Sequence, residues 1–194
     1  MALLAHTLRM HGQTFAALLR GCCVMLLVAW CAAPAWSQDA AALQIKAAFL
    51  HKFANYVQGD GAGTAFDETE KPLVFGVAGS EPVYDFLAEL VATQNADMRA
   101  AEVRRVTGPA DLAGVHVLFV GNGAAANADA LLEAGVRASM LTVTDLPGPQ
   151  PANSMVHFFV ADDRVRFDIA LAPANAAGLR LSSRLLQVAR VVGD

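Results

Sequence analysis

The chain has 194 residues, a formal net charge of −4 and 55% hydrophobic residues. This length suits one domain with a core that buries most of its apolar surface. The acidic balance argues against nucleic acid as a general partner. All three cysteines (Cys22, Cys23 and Cys31) precede residue 38. The chain beyond that point can therefore form no disulfide and no cysteine metal site.

Residues 1–37 are predicted to be a secretory signal peptide. An apolar run from Gly21 to Ala33 follows two arginines, and small residues then suggest cleavage after Ala35 or Ser37. The run is shorter than the roughly 20 residues that span a bilayer, although an uncleaved anchor is the alternative. Cleavage would leave residues 38–194 as one exported domain with 12 basic and 18 acidic residues.

Helix and strand patterns alternate through this domain. A helix is predicted over 43–57, with Ile45, Phe49 and Phe53 on its apolar face and Lys46 off that face. The predicted strands are 73–78, 102–106, 115–120 and 140–144. Helical segments are predicted at 82–91 (capped by Ser80), 109–113 and 124–134. Short apolar strands that alternate with helices predict a single three-layer α/β sandwich with a mostly parallel sheet.

The last forty residues are predicted to close the fold with an antiparallel hairpin and a terminal helix. The strand 155–160 is followed by an acidic turn at Asp162 and Asp163, and then by an alternating strand from Arg164 to Leu171. Apolar residues from Leu181 to Val192 recur with helical spacing, and Ser182 or Ser183 is placed to cap that helix.

Two glycine-rich turns are the candidates for a small-ligand site. Gly79 and Ser80 follow one predicted strand, and Gly121 and Asn122 follow another. The second turn, with Asp145 farther along, imitates a dinucleotide-binding fingerprint. That strand is the third instead of the first, however, and no substrate domain follows it, so an ordinary βα turn or another small ligand is favoured. No cofactor is predicted.

The remaining polar residues favour binding over catalysis. His51, His116 and His157 lack the spacing of metal ligands and are interpreted as structural. No nucleophile stands beside a base, so no enzyme activity is predicted. The candidate partner surface consists of outward arginines, for which a merely solvated face is the alternative: Arg164, Arg166, Arg180 and Arg184.

Segments along the whole exported domain resemble the YfiR family of exported bacterial proteins. The resemblance is carried by residues 45–50 (IKAAFL), 75–79 (FGVAG), 117–121 (VLFVG), 141–145 (LTVTD), 164–169 (RVRFDI) and 178–186 (GLRLSSRLL). It implies a periplasmic repressor of a membrane-bound diguanylate cyclase, held to the periplasmic sensor part of that enzyme. It also implies sequestration by an outer-membrane lipoprotein and a role in cyclic-di-GMP control of biofilm and motility.

An alternative function of another class stays open at this stage. The chain could be a periplasmic small-ligand-binding module that serves a different membrane signalling or transport partner. A homodimer is compatible with either function.

Overall fold

The computed structural model describes residues 36–59, 66, 71–95 and 98–192 of the chain. The predicted signal peptide lies outside this part, except that residues 36 and 37 belong to the first helix. No helix among the described residues has the length and hydropathy needed to cross a membrane.

The described elements follow the predicted alternation of strands and helices. The helices are α1 (Trp36–Phe53), α2 (Glu81–Ala92), α3 (Ala128–Arg137), α4 (Leu171–Ala176) and α5 (Ser183–Leu186). The strands are β1 (Val57–Gly59), β2 (Leu73–Ala78), β3 (Ala101–Arg105), β4 (Val117–Gly121), β5 (Leu141–Asp145), β6 (Val156–Ala161), β7 (Arg164–Ile169), β8 (Leu179–Leu181) and β9 (Arg190–Val191). Short 3-10 turns occupy Ala54–Tyr56, Pro109–Leu112 and Asn122–Asn127.

Seven strands form one sheet in the order β3-β2-β4-β5-β6-β7-β9. The first five run parallel, β7 is antiparallel to β6, and β9 is parallel to β7. A separate two-stranded antiparallel sheet pairs β1 with β8. The predicted α/β class, the mostly parallel sheet and the C-terminal hairpin are confirmed.

The two faces of the large sheet bury two separate apolar clusters. In β4, Val117 and Phe119 join the cluster that contains residues of α1 and α2. Leu118 and Val120 belong to the other cluster, with Leu131 and further residues of α3. Side chains of a strand alternate between faces, so this division places the sheet between two helical layers.

Aromatic side chains join α1 to the hairpin. Phe53 lies 5.8 Å from Phe158 of β6 and 5.0 Å from Phe167 of β7, measured between ring centroids. Stacked and edge-on pairs at these distances add to the apolar area that the rings bury.

The apolar face of α1 differs from the predicted one. The helix ends at Phe53, and Val57 begins a strand instead of closing the helix. Ile45, predicted to face the core, is 46% exposed, whereas Lys46 is only 7% exposed. A lysine can occupy such a position because Asp145 pairs with its ammonium group.

The predicted C-terminal helix is present but shorter than the predicted span from Leu181 to Val192. Leu181 pairs with Val57 in the small sheet, and only the four residues of α5 are helical. Arg190 then pairs with Asp168 at the edge of β7. So short a helix is marginal without tertiary packing, and strand pairing on both sides limits it to one turn.

The hairpin turn and one helix cap agree with the predictions, whereas a second cap and the start of one helix differ from them. Asp162 and Asp163 both have positive φ values, 52° and 55°, as a tight two-residue hairpin turn requires. Ser182 caps α5 by accepting a hydrogen bond from Leu185 N at 3.4 Å. Ser80 occupies the N-cap of α2, but its hydroxyl makes no capping hydrogen bond, so that part of the prediction was wrong. The helix predicted over 124–134 starts later, at Ala128, after a 3-10 segment.

Candidate functional site

The two predicted glycine turns lie next to each other at the carboxyl edge of the sheet. They follow β2 and β4, which are adjacent and parallel. The amide of Gly123 donates to the carbonyl of Gly79 at 3.0 Å, and a Cβ on Gly79 would come within 2.1 Å of Ala124 N. The turns therefore pack backbone against backbone, and this close contact explains why both are rich in glycine.

A cleft of about 430 Å³ opens beside these turns. Asn122 lines it, whereas Gly79, Ser80 and Gly121 are not among its lining residues. The other walls come from the loop after β5 and from strand β6: Asp145, Leu146, Pro147, Gly148, His157, Phe158, Phe159 and Val160. Ligands of open α/β sheets bind outside the carboxyl ends of the strands, and the cleft has this position.

A partly buried ion pair lies at the rim of the cleft. Lys46 Nζ donates to Asp145 Oδ2 at 2.7 Å. The Lys46 side chain is 9% exposed and the Asp145 side chain 23%. Burial removes water from both charges, so each group depends on the other for compensation. The pair joins α1 to the last residue of β5.

His157 belongs to a buried polar network under the cleft. Its Nδ1 lies 2.8 Å from the Thr144 hydroxyl, which lies 2.7 Å from the Ser154 hydroxyl. Ser154 Oγ in turn donates to the carbonyl of Val156 at 2.9 Å. Burial lowers the pKa of His157, and a hydrogen bond to the backbone of Gly148 and the charge of Asp168 partly oppose that shift. The imidazole therefore acts as a neutral structural group.

Two of the four predicted surface arginines lie on the large sheet, one lies on the small sheet and one lies on α5. Arg164 and Arg166 are exposed on β7 of the large sheet. Arg180 is exposed on β8 of the small sheet, opposite Gln58, and Arg184 is exposed on α5. Leu179 and Leu185, their buried neighbours, belong to the same core cluster as α1. The small sheet and α5 thus lie on the α1 side of the large sheet.

Arg190 completes a structured surface that the sequence pattern did not reveal. Its guanidinium donates to both carboxylate oxygens of Asp168, at 2.7 and 2.6 Å. It also lies 4.7 Å from the ring centroid of Phe159. Because residues 181–192 were predicted to form a helix, Arg190 was not expected to lie beside β7. The signal available in the sequence was Asp168 itself, an acidic residue between two apolar positions of a strand.

The described residues contain no group of three or more histidine, cysteine, aspartate or glutamate side chains that could hold a metal ion. The described residues thus offer surfaces and the cleft beside the glycine turns as candidate sites.

The model of the YfiR/HmsC-like family matches residues 43–190, from the first helix to the last strand. A search of curated proteins found no match. The family match covers well over half of the chain, and it confirms the resemblance seen in the sequence segments. The chain belongs to the YfiR/HmsC-like family.

Proposed function

We propose that this protein is a periplasmic regulator that represses an inner-membrane diguanylate cyclase by binding the periplasmic sensor part of that enzyme. Its action would lower cyclic-di-GMP and thereby affect biofilm formation. The observation that carries this proposal is the family match over residues 43–190. Export by residues 1–37 as a cleaved signal peptide belongs to the same proposal.

Repression by binding requires a difference in affinity between two states of the cyclase. The regulator stabilises the inactive conformation only as far as it binds that conformation more tightly than the active one. A hundredfold preference corresponds to about 2.8 kcal/mol. An outer-membrane lipoprotein that competes for the regulator would relieve the repression without any chemical step.

The direct test is capture of the cyclase by the mature protein. Residues 38–194, immobilised and incubated with inner-membrane extract, are expected to retain a diguanylate cyclase that mass spectrometry identifies. Deletion of the gene is expected to raise cellular cyclic-di-GMP, and complementation to restore the original level. Capture of no cyclase together with unchanged cyclic-di-GMP after deletion would refute the proposal.

A small-ligand-binding function is the second candidate, and the cleft favours it. Its volume of about 430 Å³ falls within the range of small-molecule pockets. A ligand there would contact Asn122 and Phe159, whereas the predicted residues Gly79, Ser80 and Gly121 do not line the cleft. Thermal-shift screening of the mature protein against a library of small metabolites tests it. Ligand-induced stabilisation that Asn122→Ala abolishes, in a protein that captures no cyclase, would favour this function over repression.

A further inference from the structure

The hairpin and β9 together present an arginine-bearing surface on the side of the sheet opposite α1. We call it the arginine face and define it by Phe159, Arg164, Arg166 and Arg190. We propose that the arginine face docks an acidic protein surface, and this inference rests on the proposed function, because the acidic surface would belong to the cyclase.

Strand alternation determines which side of the sheet these residues occupy. Phe158 and Phe167 point into the cluster that contains α1, so their neighbours in β6 and β7 point to the opposite side. Phe159 and Arg166 are direct partners across the two strands. Phe159 is half-buried and Arg166 is exposed. Helix α3, which lies on that side, packs over β4 and β5.

The charge of the arginine face is opposite to that of the whole molecule. The chain carries a net charge of −4, yet the face presents three guanidinium groups. Asp168 lies among them, is 6% exposed and has both carboxylate oxygens bound by Arg190. Asp162 and Asp163 in the adjacent turn form no ion pair with a described residue. Arg164 and Arg166 likewise have no described ion-pair partner, so their charges remain available to an acidic surface.

Part of the arginine face is already held in place. Arg190 is fixed by two hydrogen bonds to Asp168 and by its position over the Phe159 ring. The bonds use its Nε and one Nη, which leaves the other Nη free to donate to a carboxylate. A fixed guanidinium loses little conformational freedom when a partner binds. Arginine and aromatic side chains are also enriched where protein interfaces are strongest.

An acidic protein fits this face better than a polyanion does. DNA-binding proteins typically neutralise about 6–10 phosphates, more than three guanidinium groups can match. The negative charge of the remaining molecule would repel a nucleic acid or an anionic membrane. Folded acidic surfaces present a few carboxylates at the spacing of side chains, and arginine can bind carboxylates with two parallel hydrogen bonds.

The experiment compares two charge-reversal variants of the mature protein. Arg164→Glu/Arg166→Glu alters the arginine face. Arg180→Glu/Arg184→Glu changes the net charge by the same amount on the α1 side. Because the proposal leaves these two candidate arginines outside the interface, this variant serves as the matched control. All four side chains are exposed, so both variants should fold, as circular dichroism and thermal unfolding can verify. The probe is the purified periplasmic domain of the cyclase that the wild-type protein captures.

The first variant is expected to weaken binding about tenfold or more, and the control to bind within about twofold of wild type. Raising the salt from about 0.05 M to about 0.3 M should weaken wild-type binding and have less effect on the first variant. Reversal of acidic residues to lysine in the cyclase domain should partly restore binding of the first variant.

Other results would overturn the inference in different ways. If the control alone loses binding, or if both variants bind like wild type, the cyclase docks elsewhere while the proposed function stands. Equal loss in both variants would indicate a non-specific charge effect. Binding of wild type to phosphatidylglycerol vesicles or duplex DNA, lost in the first variant, would assign the face to a polyanion. If wild type captures no cyclase and deletion of the gene leaves cyclic-di-GMP unchanged, the proposed function and the arginine face fail together.

Discussion

Gly79 shows how a single residue without a side chain shapes the carboxyl edge of the sheet. Its φ of +69° is unfavourable for other residues, and a Cβ would lie 2.1 Å from Ala124 N. We expect Gly79→Ala to lower the free energy of unfolding by about 2–4 kcal/mol, since backbone strain and overpacking add. Urea denaturation followed by circular dichroism measures this change.

The matched control for Gly79 is Gly108, where a Cβ meets nothing within 4 Å and φ is −163°. Gly108→Ala should change stability by no more than about 0.5 kcal/mol. Equal denaturation midpoints for the two variants would show that the glycine turns are not packed as described.

His157 makes stability depend on pH in a defined window. Burial lowers its pKa below the ordinary value of 6.5, so the folded state favours the neutral ring. The stabilisation is complete above pH 6.5, and it is lost as the pH falls below that value, because the unfolded chain then binds the proton more readily. Denaturation at a series of pH values from 7.5 to 5 should show the free energy of unfolding falling.

The variant His157→Gln should show a smaller decrease over the same range. Hydrogen bonds also lower the pKa of Glu81, Glu102 and Asp111, whose ordinary values are 4.5, 4.5 and 3.8. Their contributions disappear at lower pH, as the carboxylates become protonated. An identical decrease in wild type and His157→Gln would assign the effect to another group.

At the scale of elements, one ion pair connects α1 with β5. Lys46→Met would leave the carboxylate of Asp145 partly buried without its partner. We expect a loss of about 2 kcal/mol, less than the 3–5 kcal/mol typical of fully buried pairs, because the Asp145 side chain is 23% exposed. Thermal and urea unfolding of the mature protein measure the loss.

Two further variants test whether the pair itself is responsible. Lys46→Met/Asp145→Asn removes both charges and should recover part of the stability. Lys52→Met changes an exposed lysine of the same helix and should have little effect. If Lys46→Met were no more harmful than Lys52→Met, the ion pair would contribute nothing to the packing of α1.

Local pattern predicted most elements but not all of their faces. The helix predicted over 82–91 is confirmed as α2, and its residues Val83 and Leu87 are buried at ordinary helical spacing. In α1 the apolar pattern predicted the burial of Lys46 wrongly. A lysine is expected to face solvent unless an acidic partner is known, and the partner here, Asp145, is distant in the chain. At the C-terminus, helical spacing was overridden when Leu181 and Arg190 paired with strands far away in the chain.

At the scale of the whole molecule, the sheet separates two sets of arginines that the sequence grouped together. Arg164 and Arg166 project from β7 on the side away from α1, whereas Arg180 and Arg184 belong to elements packed on the α1 side. Because the two sets lie on opposite sides of the sheet, one flat partner surface would not contact both of them. The candidate partner surface therefore becomes two alternatives that charge reversal can distinguish.

The sequence by itself determined the fold class, the family and most element positions. These properties depend on short-range periodicity and on the order in which short motifs follow one another along the chain. Tertiary structure alone decided the partners of Lys46, Asp168 and Arg190, the depth at which each is buried, and the side of the sheet on which each arginine lies. These properties arise from contacts between residues distant in the chain. For Lys46 and Asp145 that separation is 99 residues, far beyond the range of any local pattern.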